Sequence, residues 1–183
     1  MKKTSLLITS LALLFGLIPI VANADTVSGT TGSGTATITL TPGTLQFISV
    51  PDFTFGSQAV GVTSVTSTAL ATGALTVGDY SGGITGYNVT AQMTQGFTNG
   101  TSTLVTPNFT VSLGNSEDGA LTGISGNIAT TSTKIASGAA NTSAGQEATI
   151  GGDAQLTITN ASGTMYTQGN YSATIDYTLG VGI

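Results

Sequence analysis

The sequence contains no cysteine, no histidine and no tryptophan. Without cysteine the chain forms no disulfides, so the burial of apolar surface has to hold its fold together. Without histidine or cysteine, the nucleophile–histidine arrangements of many hydrolases are excluded, and zinc and copper lose the ligands they prefer. These absences predict a protein that is not an enzyme and that needs no metal or other cofactor.

Positive charge is scarce as well, with three Lys and Arg side chains in 183 residues. Two of them, Lys2 and Lys3, stand at the very start, so residues 25–183 hold one lysine against eight carboxylates, a balance of −7. Nucleic acids are bound through clustered lysine and arginine, and anionic lipid surfaces attract basic segments. The charge balance therefore excludes a nucleic-acid partner and disfavours a membrane surface.

The first 24 residues have the pattern of a secretory signal peptide. Lys2 and Lys3 precede a short apolar stretch at residues 6–21, and Ala22 and Ala24 fit the small-x-small cleavage pattern. The apolar stretch is shorter than the roughly 20 residues that a bilayer-spanning helix needs. We predict cleavage after Ala24, no membrane insertion of the remaining chain, and a secreted protein.

The remaining chain divides by composition into a leader and one domain. Residues 25–34 are rich in Gly, Ser and Thr without regular apolar spacing, which predicts a flexible leader. Residues 35–183 contain short segments in which every second residue is apolar, as in strands with one buried face. Turn residues separate these segments, so we predict an all-β fold, a single β-sandwich or barrel-like domain. The clearest segments are residues 36–40, 45–50, 87–93, 109–113, 156–158 and 171–179.

The stretch at residues 114–145 is the least regular, and it predicts an elaborated loop with one or two strands near residues 124–135. Glu117 and Asp118 within it are the best place for a weak calcium contact, although a solvated loop explains them equally simply. Lys134 invites comparison with the lysine–asparagine cross-links of some exported domains, but its Thr- and Ser-rich neighbours favour an exposed loop.

Five segments together have a family-like order. They are VPDFTFG at residues 50–56, LTVGDYSG at 75–82, GYNVTAQM at 86–93, FTNG at 97–100, and the GNY and YTL ends of residues 169–179. In this order they resemble the WxL domain of surface proteins of Gram-positive bacteria, whose patterns read VPxFxFG, LxVxDxRG, GWxVTAQ and GxY…TWTL. Tyr87 and Tyr177 stand where that family has the tryptophans of its two Trp-x-Leu-type motifs, and tyrosine keeps a flat ring with a polar tip.

The resemblance implies a function on the cell surface. It implies non-covalent attachment to cell-wall peptidoglycan, with other surface proteins of the same system as further partners. It also implies two sets of residues. The candidates for contact with the wall are Tyr87, Val89, Tyr171, Tyr177 and Leu179, and the family landmarks are Pro51, Phe53, Phe55, Gly56 and Asp79.

Three alternatives stay open at this point. The aromatic residues alternate with other apolar positions, so they fit a buried core as well as a binding surface. The chain also suits a structural subunit of a surface filament, pilus or biofilm matrix, in which residues 25–40 add an edge strand to a neighbour. A carbohydrate-active enzyme would need two carboxylates paired in a cleft, for instance among Asp52, Asp79, Asp153 and Asp176, whereas solvated or turn carboxylates explain them more simply.

Overall fold

The structure is a computed structural model that describes residues 27–32, 34–59, 64–82, 85–140, 146–160 and 166–182. Within these ranges the chain is all-β, which confirms the predicted fold class. No helix in the described ranges is long and apolar enough to cross a bilayer. The predicted signal peptide, residues 1–24, lies outside the described residues.

Fourteen strands occupy the described part of the chain. They are β1 Val27–Ser28, β2 Thr31–Gly32, β3 Leu45–Ser49, β4 Asp52–Phe53, β5 Ser64–Thr72, β6 Leu75–Asp79, β7 Tyr87–Thr98, β8 Val105–Leu113, β9 Leu121–Gly123, β10 Ser125–Asn127, β11 Thr133–Gly138, β12 Gln146–Ile150, β13 Gly152–Thr159 and β14 Ser172–Val181.

The chain forms two compact units, residues 1–40 and residues 41–183. In the first unit β1 pairs with β2 in a small antiparallel hairpin within the predicted leader, and the turn contains Gly29 at a φ of 68°. The strand predicted at residues 36–40 is wrong, because residues 34–40 have no regular secondary structure. Alternation defines an apolar face, but a strand also needs a partner edge, and among the described residues none pairs with this segment.

The second unit contains three antiparallel sheets. The largest has the order β10-β8-β13-β5-β4, the next β14-β7-β11-β9, and the smallest β12-β6-β3. Strands β8 and β13 show why these segments form sheet. Phe109, Val111 and Leu113 of β8 are buried, as are Ala154 and Leu156 of β13, and the Thr, Ser and Gln side chains between them are less buried.

One hydrophobic core joins the three sheets. Phe109 and Leu156 come from the five-stranded sheet, Tyr87 and Ile135 from the four-stranded sheet, and Leu75 from the smallest. All five side chains are at most 2% exposed. Burial of apolar side chains from every sheet stabilises the unit, as expected for a domain without disulfides.

Several strands were not evident from alternation alone. β5 places Val65, Ser67 and Ala69 inward. Because Ser67 and Ala69 are small, the apolar alternation of this strand is weak. β6 has only five residues, LTVGD, and all five are buried, including the polar Thr76 and Asp79. The stretch at residues 114–145 contains β9, β10 and β11 within the ranges described, rather than a loop with one or two strands. Lys134 accordingly lies on a strand, with its side chain exposed, and not in a loop.

Candidate functional site

A groove of about 700 Å³ lies on the surface of the second unit. The chain around β4 forms one wall, at residues 50–59, and residues 166–173 together with Ile175 and Tyr177 form the opposite wall. The floor is apolar and comes from β7, β8, β13 and the segment before β8. Its residues are Phe97, Leu104, Phe109, Leu156 and Ile158.

Four phenylalanines build the centre of this groove. Phe109 is fully buried on β8, and its ring centroid lies 6.2 Å from that of Phe53, 5.7 Å from that of Phe55 and 5.8 Å from that of Phe97. The first two pairs have edge-to-face geometry, which favours contact between aromatic rings beyond simple burial. Phe53, Phe55 and Phe97 stay half-buried, so the groove presents aromatic surface to whatever enters it.

Tyr177 connects the two walls. Its hydroxyl donates a hydrogen bond of 2.8 Å to the main-chain carbonyl oxygen of Pro51. Burial raises the pKa of the Tyr177 phenol well above its ordinary value, and the nearby Asp52 carboxylate adds to the shift. Asp52 is the one carboxylate among the described residues that line the groove. The groove is therefore nearly neutral, in contrast to the acidic chain as a whole.

A polar cluster borders the groove where Thr167 and Tyr171 line it. We call it the mouth cluster, and its residues are Asn99, Ser102, Thr167 and Tyr171. The Tyr171 hydroxyl donates to the main-chain oxygen of Thr167 over 2.7 Å. The Thr167 hydroxyl accepts from the Asn99 side-chain amide over 3.0 Å and donates to the Ser102 hydroxyl over 3.1 Å. Tyr171 precedes β14 by one residue and Tyr177 by six, so about 20 Å of extended chain separates the two tyrosines.

The turn after β7 holds the mouth cluster in place. The Asn99 side-chain oxygen accepts the main-chain N–H groups of Thr101 and Ser102 over 2.9 Å and 2.8 Å. Gly100 has a φ of 85°, which suits glycine in an Asn-Gly turn. The turn therefore directs the amide of Asn99 toward Thr167.

The groove brings together six of the ten residues proposed from the sequence. These are Pro51, Phe53, Phe55, Gly56, Tyr171 and Tyr177. Leu179 is half-buried and packs against the core from β14. Asp79 is buried at the end of β6, where its carboxylate accepts the main-chain N–H and the hydroxyl of Ser81 over 3.0 Å and 2.5 Å.

Tyr87 and Val89 need a correction as candidates for contact with the wall. Tyr87 is 1% exposed and Val89 is fully buried. Both side chains project from β7 into the hydrophobic core, so neither reaches a ligand at the surface in this structure. Their place is in the core, which is the alternative that the alternation left open.

Sequence reasoning missed part of the site. It did not select Phe97, Phe109, Asn99 or Thr167 as site residues, although the phenylalanines lie in the groove and the other two in the mouth cluster. The Asn-Gly pair at residues 99–100, directly after a long alternating segment, was the available signal, because it marks a tight turn at a strand end. Thr167 had no such signal, since its hydrogen bonds to Asn99 and Ser102 join residues more than sixty positions away.

A shallower depression lies elsewhere and is lined by Ser116, Glu117, Asp118, Glu147 and Thr149. The Asp118 carboxylate accepts the main-chain N–H of Ala120 over 3.0 Å. Hydrogen bonding from Ser116 and then from Ala120 lowers the Asp118 pKa. Across the described ranges, no group of three or more His, Cys, Asp or Glu side chains is placed to hold a metal ion.

Comparison with known proteins returned no match. No protein-family model, no curated protein and no solved structure is similar to this chain at a significant level.

Proposed function

We propose that this protein is a non-catalytic, secreted bacterial surface protein that attaches non-covalently to cell-wall peptidoglycan through a WxL-like domain. The proposal begins with the segments of residues 50–56 and 169–179, which resemble the family and meet at one groove. The mouth cluster beside that groove supplies the hydrogen-bonding groups. The same resemblance leads us to propose other surface proteins of the same system as further partners.

The observation that carries the proposal is the neutral, hydrogen-bonding mouth cluster beside exposed aromatic surface. Peptidoglycan presents sugar hydroxyls, acetamido groups and peptide amides, which need donors and acceptors of the same neutral kind. Sugar rings also present apolar C–H faces that pack against aromatic rings. Tyr171 offers both features, since its half-buried ring lines the groove and its hydroxyl belongs to the mouth cluster.

Charge supports short-range recognition. Gram-positive walls carry anionic polymers, so a domain with a balance of −7 gains nothing from long-range attraction. Physiological salt screens exposed charges beyond about 8 Å. Attachment then depends on hydrogen bonds and ring contacts at the groove, where Asp52 is the single carboxylate among the described lining residues.

The test is sedimentation of the purified protein with purified peptidoglycan sacculi. We expect Tyr171→Ala to weaken binding about tenfold or more, because it removes both the ring and the hydroxyl. Tyr80→Ala is the matched control, since Tyr80 is also partly exposed but lies outside the groove and bonds to Glu147 over 3.0 Å. Unfolding curves of both variants show whether the fold is intact. Equal binding by the two variants, or no binding by the wild type, refutes the proposal.

A filament, pilus or matrix subunit is the second candidate function. Its support is the exposure of Ile38 and Leu40, at 82% and 83%, in a segment whose alternate residues are apolar. Deletion of residues 25–40 separates the two functions. If the deletion abolishes polymers but wall binding is retained, the function as a filament subunit is favoured. If the deletion changes neither property, wall attachment is the function that remains.

A further inference from the structure

Residues 35–40 form an unusual surface segment, which we call the donor segment. Its sequence is TATITL, with Ala36, Ile38 and Leu40 at alternate positions and threonine between them. In extended conformation the three apolar side chains point to one side and the threonines to the other. Ile38 and Leu40 are more than four-fifths exposed, which leaves a strand-like apolar face without cover.

The groove offers a matching acceptor. Strand β14 is the last strand of its sheet, and β4 is the last strand of the five-stranded sheet, so each has one edge without a partner strand among the described residues. Both border the groove. Half-buried Ala173, Ile175 and Tyr177 of β14 face its apolar floor, while the free edge of β14 carries main-chain groups that a further strand can satisfy.

We propose that the donor segment of one copy binds as an added strand in the groove of a second copy. Its main chain pairs with the free edge of β14, and Ala36, Ile38 and Leu40 enter the groove above Phe55 and Phe97. Six extended residues span about 20 Å, shorter than the roughly 34 Å of the ten residues of β14. This is strand addition, in which main-chain bonds give affinity and alternate side chains give specificity.

Charge favours this site over the rest of the surface. Two copies that each carry a balance of −7 repel one another in general. The donor segment has no charged residue, and the described part of the groove has only Asp52. Contact between these two neutral surfaces is therefore the approach that places the fewest like charges together.

The donor segment and the groove are different surfaces, so the contact is head-to-tail. A contact of this type leaves a free donor at one end of a pair and a free groove at the other, and it continues into a ring or an open filament. The inference thus deepens the second candidate function, on which it rests, by naming both halves of the contact. Wall attachment does not require this contact, because a single copy carries both the groove and the mouth cluster.

Cysteine cross-linking tests the contact directly, because the natural chain has no cysteine. One purified full-chain preparation carries Ala36→Cys, Ile38→Cys or Leu40→Cys, and the other carries Ala173→Cys on β14. After mixing and mild oxidation, we expect a disulfide-linked heterodimer from at least one of the three donors, since directly opposed residues on neighbouring strands lie about 5 Å apart. Thr37→Cys and Thr39→Cys are the matched donors on the opposite side, and we expect several-fold less product from them.

Two results overturn the inference. The first is an equal yield from both sides of the donor segment. The second is a disulfide that forms only within one chain when Ile38→Cys and Ala173→Cys are combined, because the occupant of the groove is then the chain's own segment.

Assembly in solution gives an independent measurement by sedimentation velocity. We expect the sedimentation coefficient of the wild type to increase with protein concentration. The association constant of I38D/L40D is expected to be at least tenfold lower. T37D/T39D adds the same two charges on the opposite side and is expected to assemble like the wild type. A wild type that stays monomeric, or equal loss in both variants, contradicts the inference. I38D/L40D keeps the groove and the mouth cluster and leaves the groove open, so it is expected to bind sacculi at least as well as the wild type, and a failure of assembly and a failure of wall attachment are distinguishable.

Discussion

The hydroxyl of Tyr177 and the carbonyl oxygen of Pro51 lie 2.8 Å apart, although 126 positions separate the two residues in the chain. This hydrogen bond joins edge strand β14 to the segment that leads into β4, at the edge of the other large sheet. Both residues line the groove, so the bond holds its two walls together.

Removal of the Tyr177 hydroxyl is expected to destabilise the second unit. Tyr177→Phe keeps the ring and leaves the carbonyl of buried Pro51 without this donor, so we expect a loss of about 0.5–1.5 kcal/mol in the free energy of unfolding. Urea unfolding measures this difference. Tyr171→Phe is the control, because its hydroxyl bond lies at the exposed mouth cluster, and it is expected to stay within about 0.5 kcal/mol of wild type. Equal losses in both variants would contradict the role given to Tyr177.

Stability is expected to decline in alkaline solution. Burial raises the folded-state pKa of Tyr177 above the value of about 10 that an exposed tyrosine has. Below about pH 10 the Tyr177 phenol keeps its proton in the folded and unfolded states alike, so its contribution to the free energy of unfolding does not change with pH. Above it the unfolded state releases the proton first, so unfolding becomes progressively more favourable until the folded state also ionises. Urea unfolding between about pH 9 and 12 should show this loss, and Tyr177→Phe should reduce its slope.

Gly138 is expected to tolerate no larger side chain. Gly138 on β11 pairs with Tyr87 on β7, and a methyl group at Gly138 would overlap the Tyr87 ring. Because that ring is fully buried, Gly138→Ala should cost about 1–3 kcal/mol in the free energy of unfolding, as overpacking does. Gly180→Ala on β14 is the matched control, since nothing lies within 4 Å of the added carbon. Similar thermal unfolding of the two variants would refute this packing.

Attachment to sacculi is expected to depend weakly on salt. The single lysine in residues 25–183 can displace few counterions from the anionic wall. The nearly neutral groove also makes no strong ion pairs. Sedimentation of the protein with sacculi at low and high sodium chloride measures the dependence. A steep loss of binding with added salt would show that ionic contacts dominate instead.

The sequence located most of the long strands because alternation is a property of neighbouring residues. β7, β8, β13 and β14 contain the segments at residues 87–93, 109–113, 156–158 and 171–179, apart from Tyr171 itself. The same reasoning failed at residues 36–40, where the alternation is clear but no described strand supplies a partner edge. β6 was not predicted either, since its five residues give only the short alternation of Leu75 and Val77.

The amino-acid sequence by itself determined the all-β class, since Thr-rich alternation and frequent turn residues suit pleated sheet and no helix. Only the tertiary structure decided which aromatic residues are accessible. Tyr87 and Tyr171 stand in similar alternating segments. Tyr87 lies on the central strand β7, and the core encloses its ring. Tyr171 directly precedes edge strand β14, and its ring lines the groove. The physical reason is that the exposure of a side chain depends on the strands that come to lie over it, and their distance along the chain leaves no local signal.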